Sequence, residues 1–86
     1  MSNNEKWEAA LAKLTYMTSL FFGTYWRHKK RNSIYRIVSL SVGQGKSIDY
    51  QIMINYKDIN GTRPTILLTR EMSEFLERFE ETDYSD

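Results

Sequence analysis

The stretch of sequence that decides the fold is Ile48-Asp49-Tyr50-Gln51-Ile52-Met53-Ile54-Asn55-Tyr56-Lys57. Apolar side chains alternate in it with mostly polar ones, and successive side chains of an extended chain point to opposite faces. The apolar set is Ile48, Tyr50, Ile52, Ile54 and Tyr56. This pattern predicts an antiparallel strand that covers a core with one face and meets solvent with the other.

Further strands are predicted on both sides of this one. Residues 34–42 are rich in β-branched and aromatic side chains, and residues 25–28 form a shorter run of the same kind. The segment 43–47 has the composition of a loop. Asp58-Ile59-Asn60-Gly61 carries an Asn-Gly hairpin signal, after which residues 63–69 are predicted to return as the next strand.

Two helices are predicted at the ends of this β-rich region. Ser2 and Glu5 have the spacing of a capping box, and apolar residues then recur every three or four positions over residues 3–20. Gly23 is a plausible terminator just beyond. Near the other end, Thr69 is expected to cap a short helix over residues 70–79, whose apolar stripe is formed by Met72, Phe75, Leu76 and Phe79.

These elements predict an α+β fold. An N-terminal amphipathic helix is expected to accompany a small antiparallel sheet or SH3-like barrel, closed by the short C-terminal helix, because closure hides the edges of a short sheet. The 86 residues suffice for one small domain. We expect it to span residues 1–81, with the first helix over 3–20, a β-rich body over 24–69, the last helix over 70–79 and an acidic tail over 82–86.

Composition indicates the cellular compartment and excludes some kinds of site. The chain has no cysteine, which excludes disulfides and thiolate metal sites and suits a reducing compartment. Residues 1–8 lack the basic and apolar regions of a signal peptide, and the most apolar stretch, residues 16–22, is far shorter than a membrane span. The protein is therefore expected to be soluble, cytoplasmic and not associated with a membrane.

The net charge of +1 hides an uneven distribution. Residues 1–70 contain 11 Lys and Arg against 4 Asp and Glu, whereas residues 71–86 contain Arg78 alone against seven acidic residues. Most of the acidic residues are expected on the solvated face of the last helix. The N-terminal 70 residues are thus net basic, and residues 71–86 are net acidic.

A basic and aromatic cluster is the first candidate binding surface. Cationic groups neutralise phosphates and exposed aromatic rings stack on bases, so the cluster could contact nucleic acid. The alternative is a solvated turn that faces the acidic closing helix, with the aromatic rings in the core. The residues are Tyr25, Trp26, Arg27, His28, Lys29, Lys30, Arg31 and Arg36.

The N-terminal helix is the second candidate surface. Its apolar face either packs on the body of the domain or binds a protein partner or a second copy of the chain. The residues that define it are Trp7, Leu11, Leu14, Met17 and Phe21.

No catalytic, cofactor-binding or metal-binding residues are assigned. His28 is the only histidine, and metal binding or general base catalysis would need partners that the sequence does not offer. A structural role for His28 is favoured, and the protein is expected not to be an enzyme and to need no cofactor.

From Thr24 onward the chain resembles a family of short, uncharacterised bacterial and phage proteins. Three segments carry the resemblance: Trp26-Arg27-His28-Lys29-Lys30-Arg31-Asn32-Ser33-Ile34-Tyr35-Arg36-Ile37-Val38, then Ile54-Asn55-Tyr56-Lys57-Asp58-Ile59-Asn60-Gly61, and the closing run Thr69-Arg70-Glu71-Met72-Ser73-Glu74-Phe75-Leu76-Glu77-Arg78-Phe79-Glu80-Glu81. Glu71 stands where that family usually has proline. The resemblance implies a small barrel-like fold and a phage or prophage origin, and it brings no catalytic residue.

Together these observations favour a non-enzymatic binding module that acts through protein–protein contact. A phage-encoded modulator or inhibitor of a host system, acting in the host cytoplasm, is the expected setting. The alternative is a small nucleic-acid-binding β-barrel that uses the basic and aromatic loop over residues 26–31.

Overall fold

A computed structural model of the chain describes residues 3–44, 50–60 and 66–84. The elements in chain order are α1 (Asn3–Phe21), β1 (Tyr25–His28), β2 (Ile34–Gln44), β3 (Tyr50–Asp58), β4 (Leu68–Glu71), α2 (Met72–Arg78) and β5 (Phe79–Thr82). The fold is α+β, and the predicted N-terminal helix and short C-terminal helix are confirmed. Among these residues, no helix is both long and apolar enough to cross a membrane.

The five strands form one antiparallel sheet in the order β4-β3-β2-β1-β5. The predicted SH3-like barrel is not confirmed, because β4 and β5 are the two edges of the sheet and do not pair with each other. The seven residues of α2 connect these two edges directly. At about 1.5 Å of rise per residue such a helix spans roughly 10 Å, so the sheet must curl strongly while staying open.

The β2–β3 hairpin is the largest part of the sheet and follows the predicted alternation. Ile52, Ile54 and Tyr56 are buried, whereas Gln51 is exposed. The register shifts at Val38, where a β-bulge lies between Ile37 and Ser39. A bulge adds one residue to a strand and moves the following side chains to the other face, so Leu40 packs on the core as Ile37 does.

The core is an aromatic cluster on one face of the sheet. Phe75 and Phe79 stack with ring centroids 4.3 Å apart, and Tyr56 packs edge-on against both rings. Edge-to-face and offset contacts of this kind add to the stabilisation that burial alone provides. The buried members of the cluster are Trp26, Tyr35, Ile37, Ile54, Tyr56, Phe75 and Phe79.

Helix α1 ends at a turn that attaches it to the sheet. Gly23 has a φ of +78°, a conformation that glycine adopts with little steric cost. Its N–H donates to the carbonyl of Ile37 on β2, and the N–H of Ile37 donates in turn to the carbonyl of Thr24. The ring of Phe21 packs on Trp26 with centroids 5.8 Å apart. Gly23 is therefore the terminator that the sequence suggested.

The C-terminal region differs from the prediction in two ways. Glu71, and not Thr69, caps α2, because its carboxylate accepts from the N–H groups of Ser73 and Glu74, while Thr69 lies in β4. Residues 79–82 form strand β5 instead of a helix end and a tail. The helix stops because Phe79 turns extended, with φ −124° and ψ 155°, and β5 then pairs with β1.

Some predicted features lie outside the described residues. These are Ser2 of the capping box, residues 45–47 of the predicted loop, Ile48 and Asp49 of the deciding strand, Gly61 of the hairpin signal, and the start of the predicted strand over 63–69. Gly43 and Gln44, which the loop prediction included, belong to β2. Ile66 and Leu67 precede β4 without joining it.

Candidate functional site

The basic residues lie on a tight turn that joins β1 to β2. The N–H of His28 donates to the carbonyl of Ser33, and the N–H of Asn32 donates to the carbonyl of His28. Asn32 has a φ of +62°, in the left-handed region that asparagine tolerates better than most residues. Lys29, Lys30 and Arg31 stand at the exposed tip of this closed turn.

The side chain of His28 organises the turn from inside. Its Nδ1 accepts hydrogen bonds from the backbone N–H groups of Lys30 and Arg31, at 3.1 and 3.2 Å. An Nδ1 that accepts carries no proton, so the neutral ring carries its proton on Nε2. The ring is 6% exposed and packs edge-on against Phe79.

Burial and the surrounding cations lower the pKa of His28 from its ordinary value of 6.5. Burial is the main cause, since a charged imidazolium loses its hydration there. Arg31, Arg70, Arg78 and Lys30 each add Coulombic repulsion in that order. The uncharged ring is therefore the stable form at neutral pH, and the potential around it is positive.

Lys29 connects the turn to the end of α2. Its N–H donates to the carbonyl of Arg78 at 3.1 Å, and its Nζ donates to the carbonyl of Glu77 at 3.0 Å. Cations and N–H donors at a helix C-terminus satisfy carbonyls that have no partner within the helix. Lys29 is thus a capping residue, although its side chain is exposed.

The remaining charges of the cluster are only partly compensated. Arg27 pairs with Glu80 of β5 and also donates to Asn32. Glu74 contacts both Arg70 and Arg78, at 2.6 and 3.3 Å. Within the cluster, Lys29 thus contacts the end of α2 through backbone carbonyls, whereas the carboxylate that pairs with Arg27 belongs to β5. The side chains of Lys30 and Arg31 form no ion pair with any residue that the structure describes.

Two residues of the candidate binding surface, Trp26 and His28, are buried in the structure. Trp26 is 6% exposed, packs on Phe75, and donates its Nε1–H to the hydroxyl of Thr24. It cannot stack on a base, and His28 is buried with it. The structure thus removes Trp26 and His28 from the exposed binding surface. Alternation along the short strand β1 explains this, because Trp26 and His28 are two residues apart and share the core face.

Tyr25 and Arg36 lie on the opposite face of the sheet. Both are half-buried, and the guanidinium of Arg36 lies over the ring of Tyr25, 5.7 Å from its centroid. Nε of Arg36 is buried and has no hydrogen-bond partner among the described residues. Tyr84 contacts the ring of Tyr25 as well, at 5.1 Å. Tyr25 and Arg36 are therefore separate from the turn that holds Lys30 and Arg31.

Two cavities adjoin this region. One of about 250 Å³ is lined by His28, Lys29, Lys30, Glu77 and Arg78. The other, of about 370 Å³, lies between β1 and the segment that follows β5 and is lined by Thr24, Tyr25, Glu81, Thr82, Asp83 and Tyr84. Sequence reasoning missed Arg78 and Tyr84, because only the β1–β5 pairing brings the chain end beside β1.

The residues predicted for a partner helix face mostly inward. Leu14, Met17 and Phe21 are half-buried against the body, while Trp7 packs on Tyr50 with centroids 5.2 Å apart. Trp7 and Leu11 remain 43% and 38% exposed. Of the two alternatives for this face, packing on the body fits Leu14, Met17 and Phe21 better, whereas Trp7 and Leu11 stay accessible to a partner.

Other side chains of the same segment take the exposed positions. Tyr16, Leu20 and Phe22 are 60%, 52% and 61% exposed. Tyr16 and Leu20 follow the exposed Ala9 and Ala12 at i, i+3, i+7 and i+11, so they lie on one side of the helix. The sequence contained this signal, because residues 16–22 are its most apolar stretch.

The described residues contain no group of three or more His, Cys, Asp or Glu side chains that could hold a metal ion. Comparisons with protein-family models, with curated proteins and with solved structures yield no match for this chain.

Proposed function

We propose that this protein is a non-enzymatic binding module that contacts a protein partner through the exposed side of α1. The observation that carries the proposal is the exposure of Tyr16 and Leu20, which are both more than half accessible to solvent on adjacent turns of one helix. Large apolar side chains that cluster on a surface mark interaction sites more often than isolated ones do.

The wide apolar surface of α1, which the body covers only in part, supports this proposal. Leu14 and Met17 are half-buried, whereas Tyr16 and Leu20 are exposed. Surface helices usually carry one apolar stripe, and a helix that is apolar on several sides is usually covered on several sides. The small side chains of Ala9 and Ala12 would let a partner approach closely. An apolar groove that accepts a helix face fits this surface.

The setting that we propose is a phage- or prophage-encoded protein that modulates a host system. The resemblance of residues 26–38, 54–61 and 69–81 to short bacterial and phage proteins supports it. The lack of any assigned catalytic set favours action by contact.

A paired affinity capture tests the proposal. A tagged double variant, Tyr16→Ser with Leu20→Ser, is compared with the wild-type protein and with Leu76→Ser, a change at an exposed leucine of α2. We expect partner affinity to fall roughly thirtyfold or more in the double variant, because truncation of an interface hot spot costs about 2 kcal/mol or more. Leu76→Ser should bind as the wild type does.

Sizing of each protein at several concentrations completes the test. A dimer that the double variant abolishes would make the partner a second copy of this chain. The proposal is wrong if the wild type stays monomeric and captures nothing that the double variant does not also capture.

Nucleic-acid binding is the second candidate function. The observation in its favour is that Lys30 and Arg31 are exposed and form no ion pair with any described residue. With Trp26 buried, such binding would rest on phosphate contacts, which position a nucleic acid without reading its bases.

Anisotropy titrations with short DNA and RNA at two salt concentrations test this candidate. Lys30→Ala with Arg31→Ala should weaken binding and lower the slope of log affinity against log salt by about 2, since each phosphate contact contributes about 1. Lys13→Ala with Lys57→Ala removes the same charge elsewhere and should leave the slope nearly unchanged. Absence of binding at low salt would exclude this function.

A further inference from the structure

One polar group beside the basic turn has no partner among the described residues. The two N–H groups of the turn occupy Nδ1 of His28, which leaves Nε2–H as the free donor on the other side of the ring. That donor bonds to none of the residues that the structure describes. His28 is 6% exposed, but its Nε2 is not fully buried, because the one fully buried side-chain N or O atom without a partner among the described residues is Nε of Arg36. Nε2–H can therefore donate to a ligand without giving up a bond within the described part of the chain.

The space beside this ring is suited to a small anion. The cavity of about 250 Å³ is lined by His28 together with Lys29, Lys30 and Arg78. Drug-sized ligands occupy cavities of about 300–1,000 Å³, so this one suits a smaller group. Three cations with a neutral donor among them match the oxygens of a tetrahedral anion.

The negative groups nearby do not cancel this charge. Among the described residues, Glu77 is the one carboxylate in the lining, and Glu74 contacts Arg78 at 3.3 Å without lining the cavity. The carbonyls of Glu77 and Arg78, at the negative end of α2, already accept hydrogen bonds from Lys29. The lining therefore keeps a positive balance, which agrees with the repulsion that the neighbouring cations exert on a charged His28.

We propose that this cavity binds a phosphate group, with Nε2–H of His28 as the neutral donor and Lys30 and Arg78 as the charged contacts. Lys29 positions the end of α2 and contributes charge. This site goes beyond the proposed protein contact through α1 and shares none of its residues, so each can fail without the other.

Titration of the isotope-labelled full chain with inorganic phosphate at constant ionic strength tests the site by NMR. We expect saturable shifts of the His28 ring and of the Lys30 and Arg78 backbone signals. Lys30→Ala should raise the dissociation constant about tenfold, as expected for one charge-assisted contact. Glu77→Gln should lower it, because it removes the opposing charge.

Lys57→Ala is the matched control, because it removes one lysine from β3, away from the cavity lining. Its dissociation constant should stay within about twofold of the wild-type value, a difference well below 1 kcal/mol. The proposal is wrong if the His28 signals do not move at phosphate concentrations on the order of tens of millimolar, where a millimolar site is saturated. It is also wrong if Lys30→Ala and Lys57→Ala weaken binding equally.

A second arm identifies the source of the phosphate. Micromolar single-stranded DNA that shifts the same signals and competes with inorganic phosphate would make the ligand a nucleic-acid backbone. Shifts with inorganic phosphate alone would make it a free phosphate or a small phosphate ester.

Discussion

His28 uses its two ring nitrogens for different purposes. Nδ1 holds the turn together by accepting from two backbone N–H groups, and it can do so only while it carries no proton. Protonation would remove both acceptor bonds and place a positive charge among the cations Arg31, Arg70, Arg78 and Lys30. The turn is therefore linked to the protonation state of one residue.

This linkage predicts that stability falls as the solution becomes acidic. The pKa of His28 is lowered in the folded state from 6.5, so the unfolded chain binds the proton first. The contribution of His28 to the free energy of unfolding should be constant above pH 6.5. It should decrease as the pH falls from 6.5 to the folded-state pKa. Urea unfolding at pH 7.5 and pH 5.5 measures the effect.

His28→Gln keeps a side-chain acceptor without a titrating group and is the control for that measurement. Because His28 is the only histidine of the chain, the loss between these two pH values should largely disappear in the variant. An equal loss in both proteins would contradict the prediction.

At the scale of elements, the short helix α2 depends on its first residue. The carboxylate of Glu71 accepts from Ser73 and Glu74, and the hydrogen bond from the Ser73 hydroxyl is the main cause of its lowered pKa. A helix of seven residues is too short to be stable by itself. Its cap and its packing must therefore hold it in place.

Glu71→Ala should lower the free energy of unfolding by about 1 kcal/mol, the usual effect of removing an N-cap. Glu77→Ala, on the same helix but without a capping role, should change it by less than about 0.5 kcal/mol. Chemical denaturation of both variants measures the difference. If both variants lose the same free energy of unfolding, the effect of Glu71→Ala comes from the lost negative charge alone and the capping hydrogen bonds contribute nothing.

The elements were predictable to different degrees for physical reasons. Strand β3 was predictable because Ile52, Ile54 and Tyr56 alternate strictly with more polar residues. Strand β5 was not, because Phe79 continues the helical spacing of Phe75 and only its pairing with β1 makes it extended. The sequence did not predict whether Trp26 is buried, because the four residues of β1 are too few for an alternating pattern to show which face of the strand is inward.

At the scale of the whole molecule, one aromatic cluster connects the sheet to α2. Phe75 is fully buried and contacts Trp26, Tyr56 and Phe79, which come from three different strands. The candidate site depends on the same cluster, because Phe79 packs against His28. The sequence suggested the basic residues of the site, whereas their cavity required the tertiary contact with α2.

Phe75→Ala should lower the free energy of unfolding by about 3–5 kcal/mol, the usual range for a large aromatic core residue. Small domains have about 5–15 kcal/mol in total, so this variant should be close to unfolding at physiological temperature. Leu76→Ala, at the neighbouring exposed position, should cost about 1 kcal/mol or less. Thermal unfolding followed by circular dichroism distinguishes the two, and similar melting temperatures would contradict the assigned core.

The pairing of β1 with β5 also bears on how the protein is made. Arg27 and its partner Glu80 are 53 residues apart in the chain, so β1 leaves the ribosome long before the strand that completes the sheet. Until residues 79–82 emerge, one edge of β1 has no neighbour and His28 lacks the ring of Phe79. Unpaired strand edges in incomplete chains favour wrong association. During synthesis, the free edge of β1 is therefore open to misassembly until residues 79–82 emerge and pair with it.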